Sequence, residues 1–357
     1  MLLEKTIETI RPLDPAQRSL AQAKLNRLTK PIGSLGRLEE LAAHYVAISG
    51  EICPGRPKSM VLTLVADHGV AADGVSAYPV SVTAQMVHNF LSGGAAINVL
   101  ARQVEADVRV VDLGVASDLG NLPGLRVRKV GRGTKNFSIG PAMSPGEALQ
   151  SVETGIELVR EAHAEGVRMV GTGEMGIGNT TPSAAITAVM TGQPVSHVTG
   201  KGTGIDEAAL ARKVSLIQHA LYLNRPNPND ALDVLSKVGG FEIGGIVGVI
   251  IGGAACHIPV VLDGFISGAA ALLAFSMAPA CREYLIASHV SSEPGHRAAL
   301  EVLRLRPLLD LDLRLGEGTG ACLGIGLIQA SLRLLTEMAT FEEAGVDDGR
   351  HSHVENA

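Results

Sequence analysis

Residues 167–182 read VRMVGTGEMGIGNTTP, and this stretch decides the fold class. The apolar run Val167–Gly171 has the length and composition of a buried strand. A loop with three more glycines follows, and Thr181-Pro182 then has the order of a helix cap and a proline at the first helical position. A strand, a glycine-rich loop and a helix in this order form the repeating unit of parallel α/β proteins.

Further apolar runs repeat this design along the chain. Each is short, ends in Gly, Asp, His or Ser, and most precede a helical segment: residues 61–69, 108–114, 258–264 and 284–289. The alternation predicts βαβ units and a mostly parallel sheet, in which ligands bind at the carboxyl ends of the strands. Helical periodicity is also expected over 14–50, with a break at 30–36, and over 321–341; Ser144 to Glu147 is a capping box.

The composition favours one large α/β domain with a smaller appendage. The chain has 357 residues, of which 46% are hydrophobic and 3% aromatic, with no Trp and 42 Gly. The core is therefore expected to use Ala, Val, Ile and Leu, with close backbone packing at glycines. The formal net charge of −6 leaves no basic excess for a nucleic-acid backbone, so we expect no nucleic-acid partner.

Cysteine usage and the N-terminus indicate a cytoplasmic protein. Cys53, Cys256, Cys281 and Cys322 are far apart, so no CxxC pair predicts a zinc or redox site. Four reduced thiols are typical of a reducing cytosol. The early charged residues Glu4 to Arg11 do not fit a signal peptide.

Two uncharged stretches, 243–262 and 264–281, are long enough to be tested as membrane spans. Pro259, His257 and several glycines interrupt the first, and no cluster of Lys or Arg flanks it. Only Asp263 separates the first from the second, which begins at Gly264. We interpret them as a buried helix, a buried strand and a buried helix, without contact to a membrane.

Three glycine-rich loops could carry chemistry. Residues 171–182 offer a helix N-terminus for a phosphate; they contain GxGxxG, but no acid follows about 20 residues later to hold a dinucleotide ribose. Residues 200–206 precede a helix with Arg212 and Lys213, which could neutralise a phosphate or be solvated surface charges. In residues 314–321, Glu317 lies between two glycines, either as a functional carboxylate or as a complement to the next helix dipole.

Seven motifs in this order resemble one known family. They are KPIGSLGRL (30–38), DHGV (67–70), GEMGIGNTT (173–181), VLSKVGGF (234–241), LDGF (262–265), SH (288–289) and RLGEGTG (314–320). The chain resembles the nicotinate-nucleotide–dimethylbenzimidazole phosphoribosyltransferases of the cobalamin pathway over about residues 10–340. Such a run of long motifs is far more specific than any single glycine loop.

The resemblance implies an α/β, Rossmann-like three-layer fold with a mostly parallel sheet and a small helical domain from the chain termini. On this basis we expect a large catalytic domain over 59–320 and a small domain from 1–58 with 321–345. Residues 346–357 are expected to be a disordered tail. The family also implies a homodimer and a site at the carboxyl edge of the sheet.

The site residues follow motif by motif from the same resemblance. It implies Glu317 as the catalytic base, with Glu174 near it. The implied nucleotide and phosphate site consists of Gly176, Ile177, Gly178, Asn179, Thr180, Thr181, Gly202, Lys213 and Ser291. The implied base pocket includes Tyr78, Gln85, Met86 and Leu315, in part from segment 76–86. Some members place a small hydroxyl residue at the position of Tyr78 and an amide at Met86, so another lower-ligand base is the alternative substrate.

The implied reaction suits these residues without a cofactor or metal. In nicotinate mononucleotide the leaving group is a cationic pyridinium, which departs as a neutral ring nitrogen and needs no general acid. The benzimidazole attacks C1′ through one nitrogen while the other loses its proton, so one carboxylate, Glu317, suffices as the base. Glu174 would stabilise positive charge on the ribosyl ring. His68 and His289 are expected to be hydrogen-bonded structural residues.

Two other functions remain as alternatives from the residues alone. An NAD-dependent oxidoreductase would use the GxGxxG of residues 171–176, but the ribose-binding acid is missing. A nucleotide-binding module without chemistry would not need the Glu317 carboxylate at the mouth of an anion site.

Overall fold

The computed structural model describes residues 1–347 and divides the chain into two compact units. The larger unit comprises Met1–Arg11 and Lys58–Ile325, and the smaller comprises Pro12–Pro57 with the residues from Gly326 onward. The sequence predicts residues 1–11 in the small domain, but their helix is bonded to the larger unit: Leu3 N–H donates to Glu153 Oε1 at 3.1 Å. Of the expected disordered tail, residues 348–357 lie outside the described residues.

The larger unit is built on a six-stranded parallel sheet. Its strands are β1 Ser59–Ala66, β2 Ala106–Gly114, β3 Arg126–Val127, β4 Met169–Met175, β5 Val260–Leu262 and β6 Leu285–Ala287. A second, two-stranded parallel sheet pairs β7 His289–Val290 with β8 Leu309–Asp310.

The strand order of the main sheet is β3-β2-β1-β4-β5-β6. This is the order of Rossmann folds, and it reverses direction between β1 and β4. At such a switch point the connections leave in opposite directions, which opens a crevice beyond the carboxyl ends of the two strands. The expected α/β, Rossmann-like fold with a parallel sheet is confirmed.

Helices occupy most of the remaining chain. In the larger unit they are α1 Leu2–Ile7, α4 Ser81–Leu91, α5 Ala96–Gln103, α6 Pro145–Ala164, α7 Thr180–Thr191, α8 Val195–Val198, α9 Glu207–Asn224, α10 Ala231–Val238, α11 Phe241–Ala255, α12 Phe265–Met277 and α13 Pro294–Leu303. In the smaller unit they are α2 Pro15–Leu25, α3 Arg37–Ser49 and α15 Phe341–Ala344; α14 Thr319–Glu337 begins in the larger unit and continues into the smaller.

Helices α6 and α11 approach each other through glycines. A Cβ atom on Gly155 would collide with the carbonyl oxygen of Gly245, and one on Gly248 would collide with the carbonyl oxygen of Val152. Side chains at these positions would force the two backbones apart, so glycine permits the close packing that a core with few aromatic residues requires. From its other face, Gly245 approaches Leu64 of β1.

The two apolar stretches are buried, as predicted, as α11, β5 and α12. Over residues 1–347, α14 is the one helix that is long and apolar enough to cross a membrane, by length and composition alone. Of its most apolar window, 56% is buried inside the fold. A buried core helix passes the same test, so this is weak evidence for a span.

Candidate active site

A cavity of about 290 Å³ opens at the carboxyl ends of the strands beside the switch point. It is lined by Val75, Ser76, Tyr78, Glu174, Met175, Gly176, Ile177, Gly178, Asn179, Thr180, Gly202, Thr203, Ile266, Arg314 and Leu315. Two of the three glycine-rich loops, 171–182 and 200–206, therefore meet in one place, and the third begins at its edge. A cavity at this position is the expected ligand site of an open parallel sheet.

The first loop connects β4 to α7 in a tight turn. A Cβ atom on Gly176 would lie 2.5 Å from the carbonyl oxygen of Ala66, and Gly178 has a φ of +87°. Ile177 N–H donates to Thr83 Oγ1 at 3.1 Å, which fixes the turn to α4. The N-terminus of α7, with its positive dipole end, therefore lies at the cavity, where Asn179 and Thr180 belong to the lining.

The sequence interpretation of the start of α7 is wrong. The helix begins at Thr180 after Asn179, so Pro182 is its third residue and Thr181 is not the cap. Proline is tolerated throughout the first turn because the amides there have no partner within the helix. Thr181 is fully buried, and its Oγ1 has no hydrogen-bond partner among the described residues.

Lys213 lies behind this loop on α9, with 1% of its surface exposed. Its Nζ donates to Thr180 Oγ1 at 2.7 Å and to the carbonyl oxygen of Gly200 at 3.3 Å. Burial lowers the pKa of Lys213 to about 8, and the nearby carboxylate of Glu293 opposes that shift. Lys213 is not part of the cavity lining, but its buried ammonium bonds the lining residue Thr180 from behind, at the N-terminus of α7.

The second glycine-rich loop is held by side chains from distant parts of the chain. Gly202 N–H donates to Glu293 Oε1 at 2.8 Å, while Arg314 Nη1 donates to the carbonyl oxygen of Gly202 at 3.1 Å. Thr203 Oγ1 accepts from the N–H of Ala77 at 2.9 Å, which joins the loop to the segment around Tyr78. The sequence interpretation missed Glu293 and included Arg314 only as part of the third loop, because both residues act on a loop that is distant in sequence.

Glu174 is the acidic side chain of the cavity wall. Only 5% of its surface is exposed, and Asn179 Nδ2 donates to its Oε2. Burial raises the pKa of Glu174 to about 8, and repulsion from Asp263, Glu242 and Glu317 acts in the same direction. At neutral pH this side chain is therefore mostly a carboxylic acid.

Glu317 has an unusual backbone. Its φ is +65°, and Gly316 and Gly318 on either side have φ values of +87° and +100°. Left-handed conformation costs energy for a residue with a side chain, so the surrounding bonds must hold it. Glu317 N–H donates to the carbonyl oxygen of Glu174 at 3.2 Å, and Thr63 Oγ1 donates to the carbonyl oxygen of Glu317 at 3.0 Å.

The Glu317 side chain is aimed at the start of α5. Its Oε2 accepts from the N–H of Ile97 at 3.3 Å, and 6% of the residue is exposed. Burial raises the pKa of Glu317 above its ordinary value, and the bond from Ile97 opposes the shift. A buried carboxylate with a raised pKa is a suitable acceptor for a proton near neutral pH.

Of the other expected site residues, some line the cavity and some do not. Tyr78 and Leu315 line it, and 56% and 57% of their surfaces are exposed. Gln85 and Met86 lie on α4 and do not belong to the lining. Ser291 is buried just after β7, where its N–H donates to His296 Nδ1 at 2.8 Å, and it too lies outside the lining.

The two histidines are hydrogen-bonded, as predicted. His68 Nε2 lies 2.7 Å from Glu242 Oε1 in a fully buried pair, and His289 Nδ1 lies 3.1 Å from Ser288 Oγ. The His68 ring lies close to the backbone at Gly176, so the pair supports the first loop from below. Within residues 1–347, no three His, Cys, Asp or Glu side chains are grouped so that they could hold a metal ion.

Comparisons with known proteins agree on one family and cover nearly all of the chain. A family model described as phosphoribosyltransferase matches residues 10–346. The nicotinate-nucleotide–dimethylbenzimidazole phosphoribosyltransferase of Geobacter sulfurreducens is 58% identical over 348 residues, which are 98% of this chain and 99% of that protein. The protein of the same name from Roseiflexus sp. is 58% identical over 345 residues, 97% of this chain and 98% of that protein. The crystal structure of CobT from Thermus thermophilus superposes with a TM-score of 0.89 at 49% identity and covers 94% of this chain and 100% of its own.

Proposed function

Since this chain belongs to the family of nicotinate-nucleotide–dimethylbenzimidazole phosphoribosyltransferases, we propose that it transfers the phosphoribosyl group of nicotinate mononucleotide to 5,6-dimethylbenzimidazole. The products are α-ribazole 5′-phosphate and nicotinate, for the lower ligand of cobalamin. The enzyme is thus a pentosyltransferase.

The observation that carries the proposal is that a phosphate-binding site and two acidic residues lie at the same edge of the sheet. One end of the site has the N-terminus of α7 and the buried ammonium of Lys213, which together suit a phosphate. The carboxyl group of Glu174 lines the same cavity. Glu317 is not part of the lining, but its backbone N–H donates to the carbonyl oxygen of Glu174, which places the two acidic residues next to each other. A dehydrogenase has no use for this pair, and a simple anion-binding module would be weakened by it.

We assign the proton transfer to Glu317. The incoming benzimidazole attacks C1′ through one ring nitrogen, and its other nitrogen gives its proton to the Glu317 carboxylate. The C1′–N bond to the pyridinium breaks, and its electron pair neutralises the ring nitrogen, so no general acid is needed. Attack from the face opposite the leaving group inverts the anomeric carbon from β to α.

Glu174 has a different role in this proposal. Its neighbour Asn179 and its burial keep it close to C1′, where the ribosyl ring gains positive charge in the transition state. Because the raised pKa of about 8 leaves it mostly protonated at neutral pH, its stabilising effect grows as the pH rises towards that value.

The remaining residues hold the substrates. The backbone of Gly176–Thr181, Gly202 and Lys213 would bind the phosphate, with Ser291 near the nucleotide. Remote binding of the phosphate holds C1′ in line with the nucleophile. Tyr78, Gln85, Met86 and Leu315 would form the base pocket. The half-exposed Tyr78 ring in the cavity wall favours a flat aromatic base, and another lower-ligand base remains the second candidate substrate.

Assembly and compartment belong to the same proposal. We expect a C₂ homodimer, in which the same surface patch of each subunit contacts the other; this is the commonest closed homo-oligomer. We also expect a cytoplasmic location, which is supported by four unpaired cysteines among residues 1–347.

The deciding experiment is incubation of the protein with nicotinate mononucleotide and dimethylbenzimidazole. Chromatography should show free nicotinate and α-ribazole 5′-phosphate appearing in equal amounts. Omission of the base should abolish nicotinate release, which separates transfer from hydrolysis. Nucleotide binding without products would support a non-catalytic module instead.

A further inference from the structure

Asp263 directly follows strand β5, and 1% of its surface is exposed. Asp263 Oδ1 accepts from the N–H of Gly320 at 2.7 Å and of Ala321 at 3.3 Å, and Oδ2 accepts from the N–H of Gly318 at 3.1 Å. These amides are the unpaired donors at the start of α14. A side chain 55 residues away in sequence therefore caps this helix.

The capped amides continue directly from Glu317. Three hydrogen bonds hold the backbone here. The Glu317 N–H donates to the carbonyl oxygen of Glu174, and the Glu317 carbonyl oxygen accepts from Thr63. The N–H of the next residue, Gly318, donates to Asp263. Of these partners, only Asp263 supplies a side-chain carboxylate. The left-handed φ of +65° at Glu317 needs such restraint, because the conformation is strained for any residue with a Cβ atom.

Few groups near Asp263 could hold the loop amides in its place. The titratable groups facing it are Glu317 on the loop, Glu174 on β4, His289 on β7 and Cys322 on α14. Asp263 N–H donates to Thr172 Oγ1 at 3.1 Å, which fixes the strand end itself. Burial raises the pKa of Asp263 to about 7, the three amides oppose this, and the Glu317 carboxylate adds to the rise.

We propose that Asp263 is the positioning residue of the catalytic loop: its carboxylate clamps the amides of Gly318, Gly320 and Ala321 and so aims Glu317 at the substrate. The role does not require contact between Asp263 and either substrate. The expected kinetic effects rest on the proposed function. The hydrogen bonds from the loop amides to Asp263 do not depend on that function.

The test compares Asp263→Asn with a matched control, Asp112→Asn. Asp112 is likewise buried near the end of a strand, β2, and accepts from the N–H of Val115 at 2.8 Å. It pairs with Lys129 at 3.0 Å and holds none of the amides that Asp263 holds. The asparagine at 263 can still accept the Gly320 amide but turns an NH₂ group towards Gly318. A misplaced base costs about 10²-fold in turnover, so kcat should fall by that factor while KM for the nucleotide stays near wild type. Asp112→Asn should leave kcat unchanged.

Two further readouts separate positioning from a general structural defect. Because Asp263→Asn leaves Glu317 buried, the acidic limb of the kcat/KM profile should stay at its wild-type position, whereas a structural defect that exposed Glu317 would move that limb to lower pH. Amide hydrogen exchange at Gly318 and Gly320 should accelerate in Asp263→Asn and not in Asp112→Asn. If the asparagine variant does not fold, Asp263→Ser carries the same test, since it is smaller, neutral and accepts one amide.

Wild-type turnover in Asp263→Asn, or unchanged exchange of the Gly318 and Gly320 amides, would overturn the inference. An equal loss of kcat in the Asp112 control would also overturn it, because the effect would then be structural. These failures differ from failure of the proposed function, in which the wild-type enzyme itself makes no α-ribazole 5′-phosphate. In that case the exchange measurement still decides whether the clamp exists.

Discussion

Replacement of Glu317 by glutamine isolates the proton acceptor from the rest of the site. Glutamine has nearly the same shape, and its Oε1 can accept the Ile97 N–H that now lies 3.3 Å from the carboxylate. No buried donor loses its partner, so the usual penalty for an unsatisfied group does not arise. The loop bonds at residue 317 involve only its backbone and are also kept.

The expected loss of turnover is about 10²–10⁴-fold, the contribution of a positioned general base, which corresponds to roughly 3–5 kcal/mol in the activation barrier. Stability should not fall with it. Burial raises the pKa of Glu317, so the ionised side chain is less favourable in the folded than in the unfolded state. Its effect is a loss of stability as the pH rises from the unfolded pKa through the folded pKa, and a neutral glutamine avoids that loss.

The assay is product formation over a range of nicotinate mononucleotide concentrations at saturating dimethylbenzimidazole, measured from acidic to alkaline pH, so that both kcat and kcat/KM are obtained. The wild-type kcat/KM should fall on the acidic side as Glu317 takes up a proton, with the midpoint above the ordinary value for a glutamate. The Glu317→Gln variant should lack that limb and keep only the rise towards pH 8 that ionisation of Glu174 contributes. It should melt at or above the wild-type temperature. Turnover near wild type would refute the assignment, and Glu174→Gln would then be the variant to measure.

Three other predictions follow from the geometry. Lys213→Ala should weaken nicotinate mononucleotide binding by about 1.5–3 kcal/mol in titration calorimetry, and wild-type affinity should decline above pH 8 as Lys213 loses its proton; equal affinities would remove Lys213 from the site. Gly155→Ala should lower the free energy of unfolding by about 1–3 kcal/mol in urea denaturation, because its Cβ meets the α11 backbone, while Gly140→Ala, which meets nothing within 4 Å, should not. Light scattering should give twice the 37.0 kDa chain mass at micromolar concentration, and a monomer mass would count against the dimer.

The strands were predictable because their signal is local. Each core strand is a short apolar run with turn residues after it, and the runs at 61–66 and 108–114 fall inside β1 and β2. The start of α7 was less predictable, since Asn179, Thr180 and Thr181 are all acceptable residues at a helix start. Contacts of the turn decided between them: the close approach of Gly176 to Ala66 ends the loop early.

The supports of the site could not be predicted in the same way. Glu293 reaches Gly202 across 91 residues and Glu242 reaches His68 across 174. Neither residue has a periodicity or a neighbour that marks it. Asp263 was visible as part of a recurring motif at a strand end, but its role depends on the position of α14, which only tertiary structure provides. Motifs therefore indicate which loops converge, and packing decides which side chains hold them.

The left-handed backbone at Glu317 has a consequence for mutagenesis libraries. A side chain at φ +65° is tolerated best when it is glycine, asparagine or aspartate and worst when it is branched at Cβ. Saturation of this codon therefore samples two properties at once, chemical competence and conformational compatibility, and valine or isoleucine would be lost from a folding screen before activity is ever scored. Fitness ranked at this position measures the shape of the loop as much as the acidity of its side chain.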